Sequence, residues 1–326
     1  MTQLTSINEF DIVFISFDEP NADNNYADLL DKCPWAKRSH GVFGSDAAHK
    51  AAAELAETDR FITIDADNIV SPEFFNVEID MSKIRDMDVI SWAGKNEVNG
   101  LVYGNGGIKC WPKEVVMNMR THENAPANDK RAQVDFCWNI HYVQMNNIYC
   151  QVMNNGSPLQ AWRAGFREGV KMGLQDGDVV APENLHKIHD KNFKRLLTWM
   201  SVGEDVTNGL WAIYGARLGC HMTNIVRDSW DWKNVRDFRW LTNFFETEVF
   251  PEFEGDEELC VLTGMRWDKS KLKEKTVELG IDLRKQLKLK IADMGEEGSA
   301  FFKEVYINPS RLGAQVREDQ VEDTLE

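Results

Sequence analysis

Long apolar runs and a secretory leader are both missing from the sequence. No stretch approaches the roughly 20 consecutive apolar residues that a membrane-spanning helix requires. The first residues, Met1-Thr-Gln-Leu-Thr-Ser, carry neither the basic nor the apolar region of a signal peptide. We therefore expect a cytoplasmic protein without a membrane partner.

Paired cysteine motifs are missing as well. The six cysteines are widely spaced, and no two of them form a C-x-x-C pair. This spacing argues against a zinc site and against a disulfide framework. We interpret the cysteines as small, reduced residues of the core.

The chain is acidic on average, but its charge is uneven. Its 326 residues are 43% hydrophobic, as in a folded globular protein, and carry a formal net charge of −16, which repels nucleic acid on average. Between Arg266 and Lys290, however, nine residues are basic and four are acidic. This segment is either a basic face for nucleic acid or a solvated amphipathic helix, and the sequence leaves both open.

Strand and helix patterns alternate over the first 65 residues. Residues 11–17 and 60–64 are apolar runs typical of strands buried on both faces. Between them, we predict a strand at 36–40 and helices at 24–32 and 45–56. This order predicts an α/β fold, in which ligands bind at the carboxyl ends of the strands.

The second part of the chain has a more helical pattern. We predict strands at 88–92 and 106–111 and helices at 159–172, 183–200, 206–217 and 269–290. Residues 229–267 contain four of the eleven tryptophans. We interpret these aromatic residues as a packed core or subdomain interface, with a stacking surface for bases or sugars as the alternative.

Two carboxylates directly follow the strand at 60–64, in the motif Asp65-Ala-Asp67. Acidic residues at this spacing can hold Mg²⁺ or Mn²⁺ while a substrate diphosphate supplies further oxygen ligands. A hydrogen-bonded turn is the structural alternative. The apolar strand before the pair, within an α/β pattern, favours the metal site.

Three segments of the N-terminal half carry a shared signature: residues 11–17, Gly44-Ser-Asp-Ala-Ala-His-Lys50 and Ile62-Thr-Ile-Asp-Ala-Asp-Asn68. Together they resemble the donor-binding half of GT-A fold glycosyltransferases. Phe14-Ile-Ser-Phe-Asp-Glu-Pro-Asn21, residues 37–42 and Trp162-Arg-Ala-Gly-Phe-Arg-Glu-Gly169 resemble glycosyltransferases of tailed bacteriophages, some of which decorate hydroxymethylated pyrimidines in viral DNA. The resemblance covers about residues 10–220.

The resemblance implies a GT-A-like (Rossmann-like) mixed sheet flanked by helices. The catalytic domain would span residues 1–220, with a donor half at about 10–110 and an acceptor half at about 111–220. Residues 221–326 would form a helical, aromatic and basic region with an acidic tail. The implied ligands are a nucleotide-sugar, a UDP-sugar first among them, and Mn²⁺ or Mg²⁺. A phage-encoded protein would work in the host cytoplasm.

The resemblance also implies roles for individual residues. Asp18, Glu19 and Asn21 would contact the nucleoside, Lys37 and Lys50 the donor or its phosphates, and Asp65 with Asp67 the metal. For Lys50, an exposed helical lysine is the alternative. Arg163 and Arg167 are four positions apart on a predicted helix, so both can face one anion of the donor.

Inverting enzymes of this fold use a carboxylate as the general base on the acceptor hydroxyl. The candidates are Asp135 and Glu168, and an ion pair on a surface helix is the alternative for Glu168. GT-A enzymes frequently add a histidine as a third metal ligand. His186 and His189 lie on one face of the predicted helix 183–200, and we choose His189, with a structural role as the alternative.

The predicted function is metal-dependent transfer of a sugar from a nucleotide-sugar to a hydroxyl group. The predicted acceptor is 5-hydroxymethylcytosine, or another hydroxymethylpyrimidine, in phage DNA. The alternatives are a protein or glycan acceptor, and a non-catalytic carbohydrate-binding virion protein. Nucleotidyltransferases share the architecture, but they normally carry an N-terminal glycine-rich loop, and residues 16–24 contain no glycine.

Overall fold

The computed structural model describes residues 3–103, 107–126, 128–130, 132–133, 136–137 and 139–306. The strands are β1 (Leu4–Ser6), β2 (Asp11–Ser16), β3 (Lys37–His40), β4 (Arg60–Asp65), β5 (Asn68–Val70), β6 (Glu78–Asp80), β7 (Val89–Asn96), β8 (Ile108–Pro112), β9 (Tyr142–Val152), β10 (Leu174–Gln175), β11 (Asp178–Val179), β12 (Glu254–Leu259) and β13 (Arg266–Trp267). The α-helices are α1 (Ala22–Lys32), α2 (Ser45–Leu55), α3 (Lys113–Asn118), α4 (Pro158–Lys171), α5 (Asp190–Trp199), α6 (Gly209–His221), α7 (Phe238–Phe244), α8 (Lys269–Leu287) and α9 (Gly295–Val305).

The centre of the fold is a seven-stranded mixed sheet in the order β3-β2-β4-β8-β7-β9-β5. Strands β3, β2 and β4 are parallel, and β8 pairs antiparallel to both β4 and β7. The apolar residues of β2 and β4 are buried on both faces of the sheet. The α/β prediction is therefore confirmed as a mixed sheet flanked by helices.

The predicted elements of the first 65 residues are all present, with ends shifted by a few positions. The sequence patterns missed β9, which pairs parallel to β7. The register of this strand pair shifts between Ser91 and Ala93 of β7, and again between Ala93 and Gly94. Each shift breaks the alternation of inward and outward side chains that identifies a strand in a sequence. The predicted strand at 106–111 begins at Gly106, which lies outside the described residues, and β8 starts at Ile108.

The helix predicted at 183–200 was wrong in its first half. The chain forms a 3₁₀ helix at Pro182–Lys187, and α5 begins only at Asp190. Ile188 and His189 have non-helical φ and ψ angles, which end the first helical segment before the second begins. His186 and His189 consequently do not share one α-helical face.

Helices α4 and α6 cross in direct main-chain contact. A Cβ atom on Gly165 would lie 1.9 Å from the carbonyl oxygen of Ala212, and one on Gly169 would lie 2.2 Å from that of Ala216. From the other side, a Cβ on Gly215 would lie 2.3 Å from the carbonyl oxygen of Trp162. Only glycine permits this approach, so these positions fix α4 against α6.

The aromatic residues of 229–267 pack into the same buried cluster as α4 and α6. The rings of Trp240 and Phe244 stack at 4.8 Å between centroids, and Trp230 meets Phe166 of α4 edge to face at 5.8 Å. Packing of this kind stabilises a core through buried apolar area. The interpretation of these aromatic residues as a packed core is confirmed.

Candidate functional site

A cleft of about 1160 Å³ opens at the carboxyl ends of β2 and β4. These strands pair in parallel, with Ile15 opposite Asp65, so the segments that follow them meet at one edge of the sheet. Asp18 and Glu19 line the cleft after β2, and Asp65 and Asp67 line it after β4. The four carboxylates form what we call the acidic wall.

The acidic wall is electrostatically strained. Burial first, and then the nearby charges of Asp65 and Glu19, raise the pKa of Asp67 to about 7. The Asp67 carboxylate accepts a hydrogen bond from Nδ2 of Asn68 at 2.9 Å, and Oε2 of Glu19 accepts one from the main-chain N–H of Phe17 at 2.8 Å. A cation beside Asp65 and Asp67 would relieve the mutual repulsion of these groups.

The acidic wall suits a divalent cation that is shared with a ligand. Among the residues that the structure describes, no group of three or more His, Cys, Asp or Glu side chains is arranged to hold a metal ion by itself. Two carboxylates can nevertheless bind Mg²⁺ when phosphate oxygens of a substrate and water complete its shell. Asp65 and Asp67 therefore fit a metal that binds together with a phosphorylated ligand.

The opposite side of the cleft, the basic wall, comes from α4 and from residues 232–239. Arg163 and Arg167 lie on the same face of α4, and their guanidinium carbons are 4.5 and 4.8 Å from the ring centroid of Phe238. Arg163 is 7% exposed, and its Nη1 has no hydrogen-bond partner among the described residues. Its Nη2 lies 3.7 Å from Oδ1 of Asp18. The free face of Arg163 can therefore bind an anion next to the acidic wall.

The two sides of the cleft also meet at its rim. The guanidinium carbon of Arg239 is 3.7 Å from the ring centroid of Phe43, which lies in the loop between β3 and α2. Phe43 in turn contacts Phe17 edge to face at 5.8 Å. Both phenylalanine rings are partly exposed.

His49 of α2 is in the lining of this cleft and has a defined tautomer. Its Nδ1 lies 2.9 Å from the carbonyl oxygen of Ser45, and since a carbonyl only accepts, Nδ1 must carry the proton. Burial lowers the pKa of the ring, which keeps it neutral near pH 7. Nε2 is then an acceptor, and it has no partner among the described residues.

Glu168 is held at the cleft by Tyr103 and Lys171. The Tyr103 hydroxyl donates a hydrogen bond to Oε2 of Glu168 and accepts one from Nε1 of Trp199 at 2.8 Å. Nζ of Lys171 lies 3.8 Å from Oε1 of Glu168. A carboxylate oriented in this way can accept a proton from a bound hydroxyl group.

The cleft brings together seven of the residues that the sequence suggested, namely Asp18, Glu19, Asp65, Asp67, Arg163, Arg167 and Glu168. Asn21 is close but faces inward. It is 8% exposed, and its Nδ2 donates to the carbonyl oxygen of Met153 at 2.8 Å. It connects the start of α1 to the end of β9 and does not line the cleft.

Lys37 and Lys50 do not line the cleft. Lys37 is the first residue of β3, and in a parallel sheet the amino ends of the strands lie opposite their carboxyl ends. Its Nζ is 3.2 Å from Oδ1 of Asp11 and 3.2 Å from Oε1 of Glu57. Lys50 lies one position after His49, which turns its side chain by about 100° around the helix axis.

The two remaining candidates also differ from expectation. His189 is exposed at the N-cap of α5 and does not line the cleft, so the structure does not bring it to Asp65 and Asp67. Asp135 lies outside the described residues.

Two cleft residues had no signal in the sequence. His122 and Arg236 line the cleft, but they belong to segments that are distant along the chain. No spacing rule links such segments, because only the tertiary fold brings them together.

Within the described ranges, no helix is long and apolar enough to cross a bilayer. A comparison of the sequence with models of known protein families finds no match, and a comparison with curated proteins finds none with significant similarity.

Proposed function

We propose that this protein is a metal-dependent glycosyltransferase with a GT-A-like catalytic domain. It would move a sugar from a nucleotide-sugar, a UDP-sugar first among them, to a hydroxyl group. The proposed acceptor is 5-hydroxymethylcytosine, or another hydroxymethylpyrimidine, in DNA.

One observation carries the proposal: the acidic wall faces arginines across a single cleft. Asp67 is the member whose pKa is raised to about 7, and Arg163 lies close enough to act on that carboxyl group electrostatically. A metal ion bound to a diphosphate supplies positive charge to Asp65 and Asp67 and an acceptor oxygen to Nη1 of Arg163, which has no hydrogen-bond partner among the described residues. Nucleotide-sugars present that combination.

In this proposal, different residues of the cleft bind the metal, bind the donor phosphates and accept the proton. Asp65 and Asp67 would hold Mn²⁺ or Mg²⁺, which when bound supplies positive charge to the departing diphosphate. Arg163, beside Asp18, orients the donor phosphates. Glu168 accepts the proton of the acceptor hydroxyl group while the hydroxyl oxygen forms a bond to the anomeric carbon of the sugar. The bond from that carbon to the diphosphate oxygen breaks, and the nucleoside diphosphate leaves with the electron pair.

The experiment that tests the donor half is an incubation of the protein with Mn²⁺ or Mg²⁺ and a panel of nucleotide-sugars. We expect release of nucleoside diphosphate from one donor, accelerated by the correct acceptor. Failure of every donor with both metals, in a protein that is folded by circular dichroism, would contradict the proposal and favour a non-catalytic carbohydrate-binding protein.

The acceptor half is tested by mass spectrometry of DNA containing 5-hydroxymethylcytosine after the same incubation. We expect a mass increase of one sugar on the modified base and none on unmodified cytosine. Donor turnover without any change in the DNA would support glycosyltransferase activity but indicate a protein or glycan acceptor.

A further inference from the structure

The cations of α4 extend well beyond the acidic wall. Arg163, Arg167 and Lys171 lie at intervals of four residues, so they follow one face of the helix over about 12 Å of its axis. Arg163 stands beside Asp18, whereas Lys171 is two turns farther away. Arg236, from the 3₁₀ helix Trp232–Arg236, lines the same far part of the cleft.

Each carboxylate that faces this far part accepts a hydrogen bond from a neutral donor of the protein. Oε2 of Glu123 accepts from the main-chain N–H of Ser45 at 2.7 Å, and Glu168 accepts from Tyr103. Asp231 and Asp237 cap the helices that they precede, each by accepting main-chain hydrogen bonds.

The two arginines of this far part donate to main-chain carbonyl groups: Arg167 to Val235 and Arg236 to His122. Carbonyl oxygens do not neutralise a guanidinium group, although the charges of Glu168 and Glu123 also act on Arg167. Nζ of Lys171 lies 3.8 Å from Oε1 of Glu168, so this carboxylate is shared between two cations.

The pKa of His122 reflects the positive charges around it. His122 is 8% exposed, and its Nδ1 has no hydrogen-bond partner among the described residues. Burial, followed by the charges of Arg167, Lys171 and Arg236, lowers the pKa of His122 to about 3. The far part of the cleft is therefore a buried, cationic environment that an anion would stabilise.

We propose that Arg167, Lys171 and Arg236, together with His122, form a second anion subsite that binds a phosphate group of the acceptor. This proposal rests on the proposed function only in identifying the bound phosphate as part of the acceptor. A donor diphosphate held at Arg163 occupies the end of the helix near the metal site, and a separate phosphate is needed to reach Lys171. A nucleic acid strand carries such phosphates at regular intervals.

The basic segment around α8 is a poorer candidate for binding nucleic acid. Five of the nine basic residues between Arg266 and Lys290 form ion pairs with carboxylates: Arg266 with Asp256, Lys269 with Glu258 and Glu296, Lys273 with Glu204, Lys275 with Glu252 and Glu278, and Arg284 with Asp293. This pairing leaves α8 much less cationic than its composition suggests. Lys285 and Lys288, at its end, provide matched controls.

The test is a binding experiment that needs no turnover. A fluorescein-labelled single-stranded oligonucleotide of about 12 nucleotides is titrated by anisotropy against wild type, Lys171→Gln, Lys171→Arg and the double variant Lys285→Gln/Lys288→Gln. We expect Lys171→Gln to weaken binding by about tenfold at low salt and to reduce the slope of log K against log salt by about 0.7. Lys171→Arg and the α8 variant should bind as wild type does.

Two further arms identify the source of the anion. A methylphosphonate oligonucleotide of the same sequence, which has no backbone charge, should bind weakly and equally to wild type and Lys171→Gln. UDP with Mn²⁺ should bind both proteins with the same affinity.

The proposal is overturned if the oligonucleotide does not bind wild type, or if Lys171→Gln leaves its binding unchanged. Equal loss for UDP and the oligonucleotide, or for the charged and uncharged strands, also overturns it, since the contact is then with the donor or with a base. Because no sugar is transferred in these assays, a failure of the donor panel leaves their result intact.

Discussion

The hydroxyl of Tyr103 donates a hydrogen bond to the carboxylate of Glu168, 65 positions farther along the chain. Burial and then the charge of Glu168 raise the pKa of Tyr103 well above its ordinary value, so the phenol keeps its proton. Trp199 donates to the same hydroxyl at 2.8 Å. Tyr103 therefore positions the proposed base from a fixed point in the fold.

Tyr103→Phe should lower kcat for sugar transfer by about tenfold while the affinity for UDP and Mn²⁺ stays unchanged, because only the orientation of Glu168 is lost. The variant should also lose about 1–3 kcal/mol of unfolding free energy, since the indole N–H of Trp199 is left without its acceptor. Steady-state kinetics and urea denaturation measure the two effects. A change in donor affinity equal to that in kcat would contradict the positioning role.

Asp67→Asn should abolish metal-dependent turnover without lowering the melting temperature of the metal-free protein. The pKa of Asp67 is raised to about 7 by burial and by Asp65 and Glu19, so its charge is unfavourable when no cation is bound. Calorimetric titration of Mn²⁺ in the presence of UDP should show binding to wild type only. A marked drop in melting temperature would instead identify Asp67 as a structural turn residue.

Arg163→Lys should weaken the binding of UDP with Mn²⁺ by about tenfold, because lysine reproduces the charge of arginine but neither its planar pair of donors nor its stacking on Phe238. Lys37→Gln provides the control, since Lys37 pairs with Asp11 at the other end of the sheet. Its affinity should match wild type. Equal weakening by the two substitutions would show that the cleft is not the donor site.

His122 predicts a pH dependence of stability. Its pKa falls from 6.5 to about 3 on folding, through burial and the charges of Arg167, Lys171 and Arg236. Between these values the unfolded chain binds a proton that the folded protein does not, so the free energy of unfolding falls as the pH is lowered. Above pH 6.5 the contribution of the neutral ring is fully present.

His122→Gln removes this pH-dependent contribution to the free energy of unfolding. The stability difference between wild type and the variant should therefore change in favour of the variant, on the order of 3 kcal/mol, as the pH is lowered from about 7 to about 4. Urea denaturation at a series of pH values measures it, and other titrating groups cancel in the difference. A difference independent of pH would show that His122 is not shielded from protons.

Gly165→Ala should destabilise the protein by about 1–3 kcal/mol, because the new methyl group would meet the carbonyl oxygen of Ala212 and force α4 away from α6. Gly298→Ala in α9 is the matched control. There the nearest atom to a new Cβ belongs to the Met294 side chain, at 3.0 Å, and the change should stay within about 1 kcal/mol. Similar losses at both glycines would remove the special role of the α4–α6 contact.

The part of the site that could be predicted is the part encoded locally. Asp65 and Asp67 follow an apolar strand directly, and Arg163 and Arg167 are one helical turn apart, so each pair is visible as a short pattern. Lys37 was misplaced because strand direction, which decides the edge of the sheet that a residue occupies, depends on pairing with β2. His189 was misplaced because the helix that was expected to carry it is interrupted at Ile188.

The basic wall illustrates why the rest was hidden. Nη1 of Arg236 donates to the carbonyl oxygen of His122, 114 positions earlier. Neither residue belongs to a recognisable motif, and their meeting depends on how the aromatic residues of 229–267 pack against α4. Long-range packing of this kind leaves no periodicity in a sequence.

The contact between Arg239 and Phe43 has a consequence for biosynthesis. On a ribosome adding roughly 5–20 residues per second, Arg239 emerges about 200 residues after Phe43, some 10–40 s later. During that interval the nascent chain has its acidic wall and, once α4 is made, Arg163 and Arg167, but it lacks residues 232–239 of the basic wall. Any fragment that stops before residue 232 would therefore carry Asp65 and Asp67 in a cleft without residues 232–239, and only the late-synthesised segment completes its basic wall.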